Sequence, residues 1–152
     1  MPSILHFDHV GVTVDDLDRA TAFFTGLGLE LEGRTVVEGD FIEDVTGIPD
    51  SRSEIVMLRP PGGGTGVELS SFVRPASVPG SPAALANELG LRSLAFEVDD
   101  LQAHVDRLAD DGYELVGTIG RYEDVWLMAY VRGPEGLTVA LAQRLTAGRS
   151  GE

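Results

Sequence analysis

His9-Val10-Gly11-Val12-Thr13-Val14-Asp15-Asp16-Leu17 lies over Ser93-Leu94-Ala95-Phe96-Glu97-Val98-Asp99-Asp100-Leu101 at an offset of 84 without a gap. The match continues at Gly28-Leu29-Glu30-Leu31-Glu32-Gly33 against Gly112-Tyr113-Glu114-Leu115-Val116-Gly117. Farther on, Val67-Glu68-Leu69 overlies Val139-Ala140-Leu141 at an offset of 72. The 12 residues lost between the two offsets fall where the first copy spends 19 residues (34–52) and the second spends 7 (118–124). A repeat of this length decides the architecture before any single motif does.

The repeat resolves into elements. Apolar alternation through Val10, Val12 and Val14, and through Leu94, Phe96 and Val98, predicts a strand opening each copy. An Asp-Asp pair follows, and Asp15 and Asp99 are expected to cap the next helix, since a carboxylate accepts from free N–H groups at a helix start. Leu17, Ala20, Thr21 and Phe24 in the first helix, and Leu101, Val105 and Leu108 in the second, fall at helical spacing and predict one buried stripe each. Strands are then predicted over 29–31, 54–59 and 66–72, and over 113–116, 125–131 and 137–143, with Gly-Pro-rich turns before the last strand of each copy. The order is βαβββ twice: module one over 4–72, a linker over 73–90 with a helix expected over 82–89, module two over 91–145, and a tail over 146–152.

Composition bounds the function. The chain has 152 residues, 43% hydrophobic and 24% charged, which suits one folded domain. It holds no cysteine, which excludes disulfides, thiolate metal sites and a cysteine nucleophile. All eleven basic residues are arginine, so no lysine Schiff base forms. A formal charge of −14 opposes binding to a phosphate backbone. No apolar run reaches the roughly 18 residues of a membrane span, and the N-terminus has no basic and apolar leader pattern. The expectation is a cytoplasmic protein with no nucleic-acid or membrane partner.

Two βαβββ modules, the block Asp8-His9-Val10-Gly11-Val12-Thr13-Val14-Asp15-Asp16-Leu17, and the turn Gly133-Pro134-Glu135-Gly136-Leu137 together resemble the vicinal oxygen chelate superfamily, which groups glyoxalases, bleomycin resistance proteins and dioxygenases. The resemblance covers nearly the whole chain. It implies an α+β fold in which two βαβββ modules form a cup-shaped mixed sheet (the glyoxalase/bleomycin resistance/dihydroxybiphenyl dioxygenase fold). It implies a divalent metal in the cup, a small organic ligand and a homodimer.

Carried over position by position, the resemblance puts metal ligands at His9, Glu68, Ser93 and Ala140, of which only His9 and Glu68 are donors. The repeat pairs the same positions, His9 with Ser93 and Glu68 with Ala140. A catalytic zinc site keeps three protein ligands, and an iron, manganese or nickel site at least two His and a carboxylate. His9 and Glu68 are therefore read as a half-degenerate metal site and as a candidate acid–base pair. The plainer reading is a hydrogen-bonded pair with no chemistry.

Glu97 shares the strand parity of Ser93 and either reaches toward a displaced metal or sits in solvent. Trp126, Met128 and Tyr130 share one parity, and their face is either the wall of a ligand cavity or core beneath the helices. Phe41 lies in the 12-residue excess of module one, read as a short helix and lid or as a loop that fills space. Arg34, Arg59 and Arg121 are candidates to pair with a substrate carboxylate. His6 is expected at the surface and His104 partly covered on the second helix. Two functions follow: a small-molecule-binding protein that works without a metal, or a metal-dependent lyase, epimerase or dioxygenase.

Overall fold

The computed structural model describes residues 1–145; the tail expected over 146–152 lies outside the described residues. The chain divides into two compact units, Met1–Pro79 and the remainder from Gly80. Unit one contains β1 (His9–Thr13), α1 (Leu17–Leu27), β2 (Glu30–Glu38), α2 (Asp40–Thr46), β3 (Arg52–Arg59) and β4 (Gly66–Arg74). Unit two contains β5 (Ser93–Glu97), α3 (Leu101–Asp110), β6 (Gly120–Tyr122), β7 (Trp126–Arg132), a 3-10 turn (Pro134–Gly136) and β8 (Thr138–Arg144). The fold is α+β, built as two βαβββ modules, as the repeat predicts.

Each unit carries one four-stranded mixed sheet, ordered β1-β4-β3-β2 and β5-β8-β7-β6. The first strand of each lies parallel to the last, and the remaining pairs are antiparallel. The registers agree with the two offsets: His9 pairs with Gly66 and Gly11 with Glu68 in unit one, Ser93 with Thr138 and Ala95 with Ala140 in unit two. The side-chain period of two then sorts each sheet into a helix-covered face and a helix-free face. In unit one α1 packs on β3 and β4, burying Val56, Leu58, Val67 and Leu69. In unit two α3 packs on β7 and β8, burying Ala129, Val131, Val139 and Leu141.

The helix stripes are largely as expected, with one exchange. Leu17, Ala20 and Phe24 are buried, joined by Phe23, which meets Phe24 edge-on with ring centroids 5.0 Å apart. Thr21 is only half-buried, and its hydroxyl donates to the carbonyl of Leu17. A threonine that satisfies itself on its own helix leaves the core position to the neighbouring phenyl ring.

The caps correct the sequence reading by one residue in both copies. Asp16, not Asp15, accepts from the Arg19 N–H, and Asp100, not Asp99, from the Ala103 N–H. An N-cap oxygen reaches the N–H three residues ahead, which selects the second Asp of each pair. Asp15 instead accepts from the hydroxyl of Ser77 at 2.8 Å. Both helices end alike: Leu29 N–H donates to the Phe24 carbonyl and Tyr113 N–H to that of Leu108, after left-handed Gly28 and Gly112.

Three further expectations change. Residues 113–116 form no strand of their own; Leu115 makes an isolated bridge to Val131, and the fourth strand of that sheet is β6. Its counterpart β2 runs for nine residues, with one register shift between Leu31 and Gly33, and pairs with β3 as far as Arg52. The linker over 82–89 forms turns rather than a helix. It is held by Arg132, whose guanidinium donates to the carbonyls of Ala84 (2.6 Å) and Gly136 (3.3 Å).

Candidate functional site

The helix-free face of unit one brings His9 and Glu68 together. They stand on adjacent parallel strands two residues out of step, and the Nε2 of His9 lies 3.6 Å from Oε2 of Glu68. Both side chains are part-exposed, at 36% and 28%. On the far side of the ring, Nδ1 of His9 is 2.7 Å from Oδ2 of Asp8. Asp8 is held in turn by Arg59, which donates to its backbone carbonyl at 2.6 Å and to Oδ1 at 3.3 Å. The hydrogen bond from His9, reinforced by the positive charge of Arg59, keeps the Asp8 carboxyl below its ordinary range. Gly66 permits this anchoring, because a Cβ there would stand 2.7 Å from the Leu58 carbonyl and 3.0 Å from the Arg59 guanidinium.

Unit two presents a different surface at the equivalent positions. Ser93 is half-buried, Ala140 is buried, and neither supplies a nitrogen or carboxylate donor. Trp126, Met128 and Tyr130 lie on the helix-free face, since the intervening Ala129 and Val131 are the residues buried under α3. The alternative that the three pack beneath the helices is therefore excluded by the strand parity. Tyr130 and Met128 remain 38% and 44% exposed.

Glu97 lies on the same face, and its Oε2 stands 3.9 Å from Nε of Arg144. The Arg144 guanidinium lies over the Trp126 ring at 4.3 Å. The other candidate arginines are already engaged: Arg34 with Asp18 and Glu54, Arg59 with Glu32 and Asp8, and Arg121 with Asp124. Phe41 stands on α2, which does form a helix, and is 77% exposed. His6 is exposed and 3.4 Å from Asp8, and His104 is largely covered beside Asp99.

Sequence reasoning passed over Asp8 and Arg144. Asp8 precedes His9 and lies just outside β1, which begins at His9, so strand alternation does not fix its side. Arg144 was readable, since it shares the parity of Ala140 on the last strand.

The donor chemistry does not fit a catalytic divalent metal. Such a centre needs three protein ligands, whereas one imidazole and one carboxylate meet here, with Asp8 on the opposite ring nitrogen. Among the described residues no group of three or more His, Cys, Asp or Glu side chains is placed to hold an ion.

The two βαβββ modules and their paired registers are those of a known class of protein. Residues 6–141 match the Glyoxalase/Bleomycin resistance protein/Dioxygenase superfamily, and the chain belongs to it. Among solved structures, a glyoxalase family protein from Bacillus cereus is 39% identical, with 95% of this chain and 97% of that one covered and a TM-score of 0.91. TnmS3, an antibiotic binding protein from a Streptomyces species, is 20% identical over 95% of this chain and 99% of its own, with a TM-score of 0.60. FosX, a fosfomycin resistance protein from Listeria monocytogenes solved with Mn(II) and 1S,2S-dihydroxypropylphosphonic acid, is 16% identical over 97% and 99%, at 0.57. The last two share the fold alone. No protein of curated function matches the chain. Among the described residues no helix is long and apolar enough to cross a membrane.

Proposed function

We propose that this protein binds a small organic molecule and that its metal site is half-degenerate, with His9 and Glu68 kept and Ser93 and Ala140 standing where ligands would be. The observation that carries the reading is the asymmetry between equivalent strand positions. One copy sets an imidazole 3.6 Å from a carboxylate, and the other offers a hydroxyl and a buried methyl group. The aromatic face of Trp126, Met128 and Tyr130 supplies apolar area for a ligand, with Ser93 and Glu97 as polar contacts. Phe41 on α2 is the lid residue of this proposal. His9 and Glu68 are its acid–base pair, able to hold and pass a proton between Nε2 and Oε2. The active form is a cytoplasmic homodimer.

A second reading, a metal-dependent lyase, epimerase or dioxygenase, is favoured by one feature. A carboxylate on Nδ1 of a histidine whose Nε2 faces outward is the arrangement that orients metal-ligating imidazoles.

Elemental analysis of protein purified without a metal-affinity tag decides between them. Far less than one divalent ion per chain is expected, and a stoichiometric ion overturns the proposal. Thermal-shift screening of metal-free protein then identifies ligands, because binding to the folded state raises the melting temperature.

A further inference from the structure

We infer that Arg144 is a carboxylate anchor, and that the ligand taken by the helix-free face of unit two is a planar organic acid. The inference rests on the ligand-binding reading above and deepens it by naming the ligand class.

The register lays this face out as a grid. Ala140 stands between Tyr130 and Ala95, Ala142 between Met128 and Glu97, and Arg144 beside Trp126. Ala95, Ala140 and Ala142 raise nothing taller than a methyl group, so the strands β5 and β8 form a low floor with Tyr130 and Met128 as its wall. A flat, apolar body fits such a surface, and nothing in the floor rewards a polar one.

Arg144 closes the end of the floor. The central guanidinium carbon lies 4.3 Å from the centroid of the Trp126 ring, a cation–π contact that keeps the positive charge at this end of the face before a ligand arrives. Arg34, Arg52, Arg59 and Arg121 each hydrogen-bond a carboxylate. Among the described residues the only acid near Arg144 is Glu97, at 3.9 Å, beyond hydrogen-bonding distance. Both partners are well exposed, at 43% and 59%, and an exposed pair of this kind contributes little, so displacing it costs little. A planar guanidinium with free donors selects a carboxylate, which it grips through two parallel hydrogen bonds. The four residue steps from Ala140 to Arg144 span ~13 Å of extended strand, enough for two linked rings between the buried methyl and the anchor.

Trp126 is the single tryptophan of the chain, so its indole N–H gives one isolated NMR signal that reports this face alone. Biphenyl-4-carboxylate, the neutral biphenyl-4-carboxamide and the cationic biphenyl-4-methylamine are titrated against the intact protein while that signal is followed. The acid is expected to bind at least ~10-fold more tightly than the amide, the value of one charge-assisted contact. R144Q abolishes that difference, R144K falls between, and E97Q tightens the acid. Equal binding of acid and amide, or a preference that survives R144Q, overturns the anchor but leaves the ligand face standing. Tightest binding by the amine, lost in E97Q, overturns it in favour of a cation site. If none of the three probes moves the signal, the ligand face falls along with the anchor.

Discussion

Asp8 fixes which nitrogen of His9 faces Glu68. With its Oδ2 at 2.7 Å from Nδ1, the carboxylate requires Nδ1 to carry the proton, and Nε2 is presented to Oε2 of Glu68 at 3.6 Å. The neutral ring is therefore expected as the Nδ1–H tautomer, the minor form of a free imidazole. Long-range 15N–1H NMR at a pH where the ring is neutral reads the tautomer directly. D8A removes the acceptor and is expected to return His9 to a mixture dominated by Nε2–H; an unchanged tautomer in D8A shows that Asp8 does not orient the ring.

The capping assignment separates two adjacent, chemically identical residues. D100A removes the acceptor of the Ala103 N–H and is expected to cost about 1 kcal/mol. D99A removes a side chain that is 98% exposed and is expected to stay within about 0.5 kcal/mol of the parent. Urea unfolding of the two variants distinguishes them, and equal losses contradict the assignment.

Glycine is required at position 136 for two reasons and at position 28 for one. Both have positive φ, but a Cβ at 136 would stand 2.1 Å from the Pro82 carbonyl oxygen, while at 28 it meets nothing within 4 Å. G28A is expected to cost about 1 kcal/mol through backbone strain alone. G136A is expected to cost about 3 kcal/mol or more, since the linker at Pro82 must move. A smaller loss for G136A than for G28A contradicts the close packing of the turn on the linker.

Phe24 and Phe41 test the distinction between core and lid. Phe24 is fully buried, and F24A is expected to destabilise by about 3–5 kcal/mol. F41A touches an exposed ring on α2 and is expected to leave stability within about 0.5 kcal/mol. Its expected effect is on ligand dissociation, measured by stopped-flow once a ligand is in hand. If F41A leaves the dissociation rate unchanged, α2 is not a lid.

Reading the sequence located the strands and helices that repeat, because their signals are local. Strand alternation and helical spacing lie within a few residues of each position, and the offsets of 84 and 72 between copies place the first and last strands of each unit where they are found. The position of His9 beside Glu68 was legible for the same reason. Once parallel pairing of first and last strands is accepted, strand parity puts both on one face. The expectations of Asp15 as the cap and of Thr21 in the buried stripe were both displaced, because Asp16 accepts from the Arg19 N–H and the Thr21 hydroxyl donates to the Leu17 carbonyl while Phe23 is buried.

What the amino-acid order determined by itself was therefore the duplicated βαβββ plan and the residues at its equivalent positions, Ser93 opposite His9 and Ala140 opposite Glu68. The tertiary structure alone decided the partners: Asp8 on the ring of His9, Arg144 over Trp126, and Glu97 facing Arg144 rather than a donor set. The physical reason is register. Trp126 and Arg144 are 18 residues apart in the chain and meet only because β7 and β8 pair antiparallel at that register, a long-range choice on which no local pattern bears.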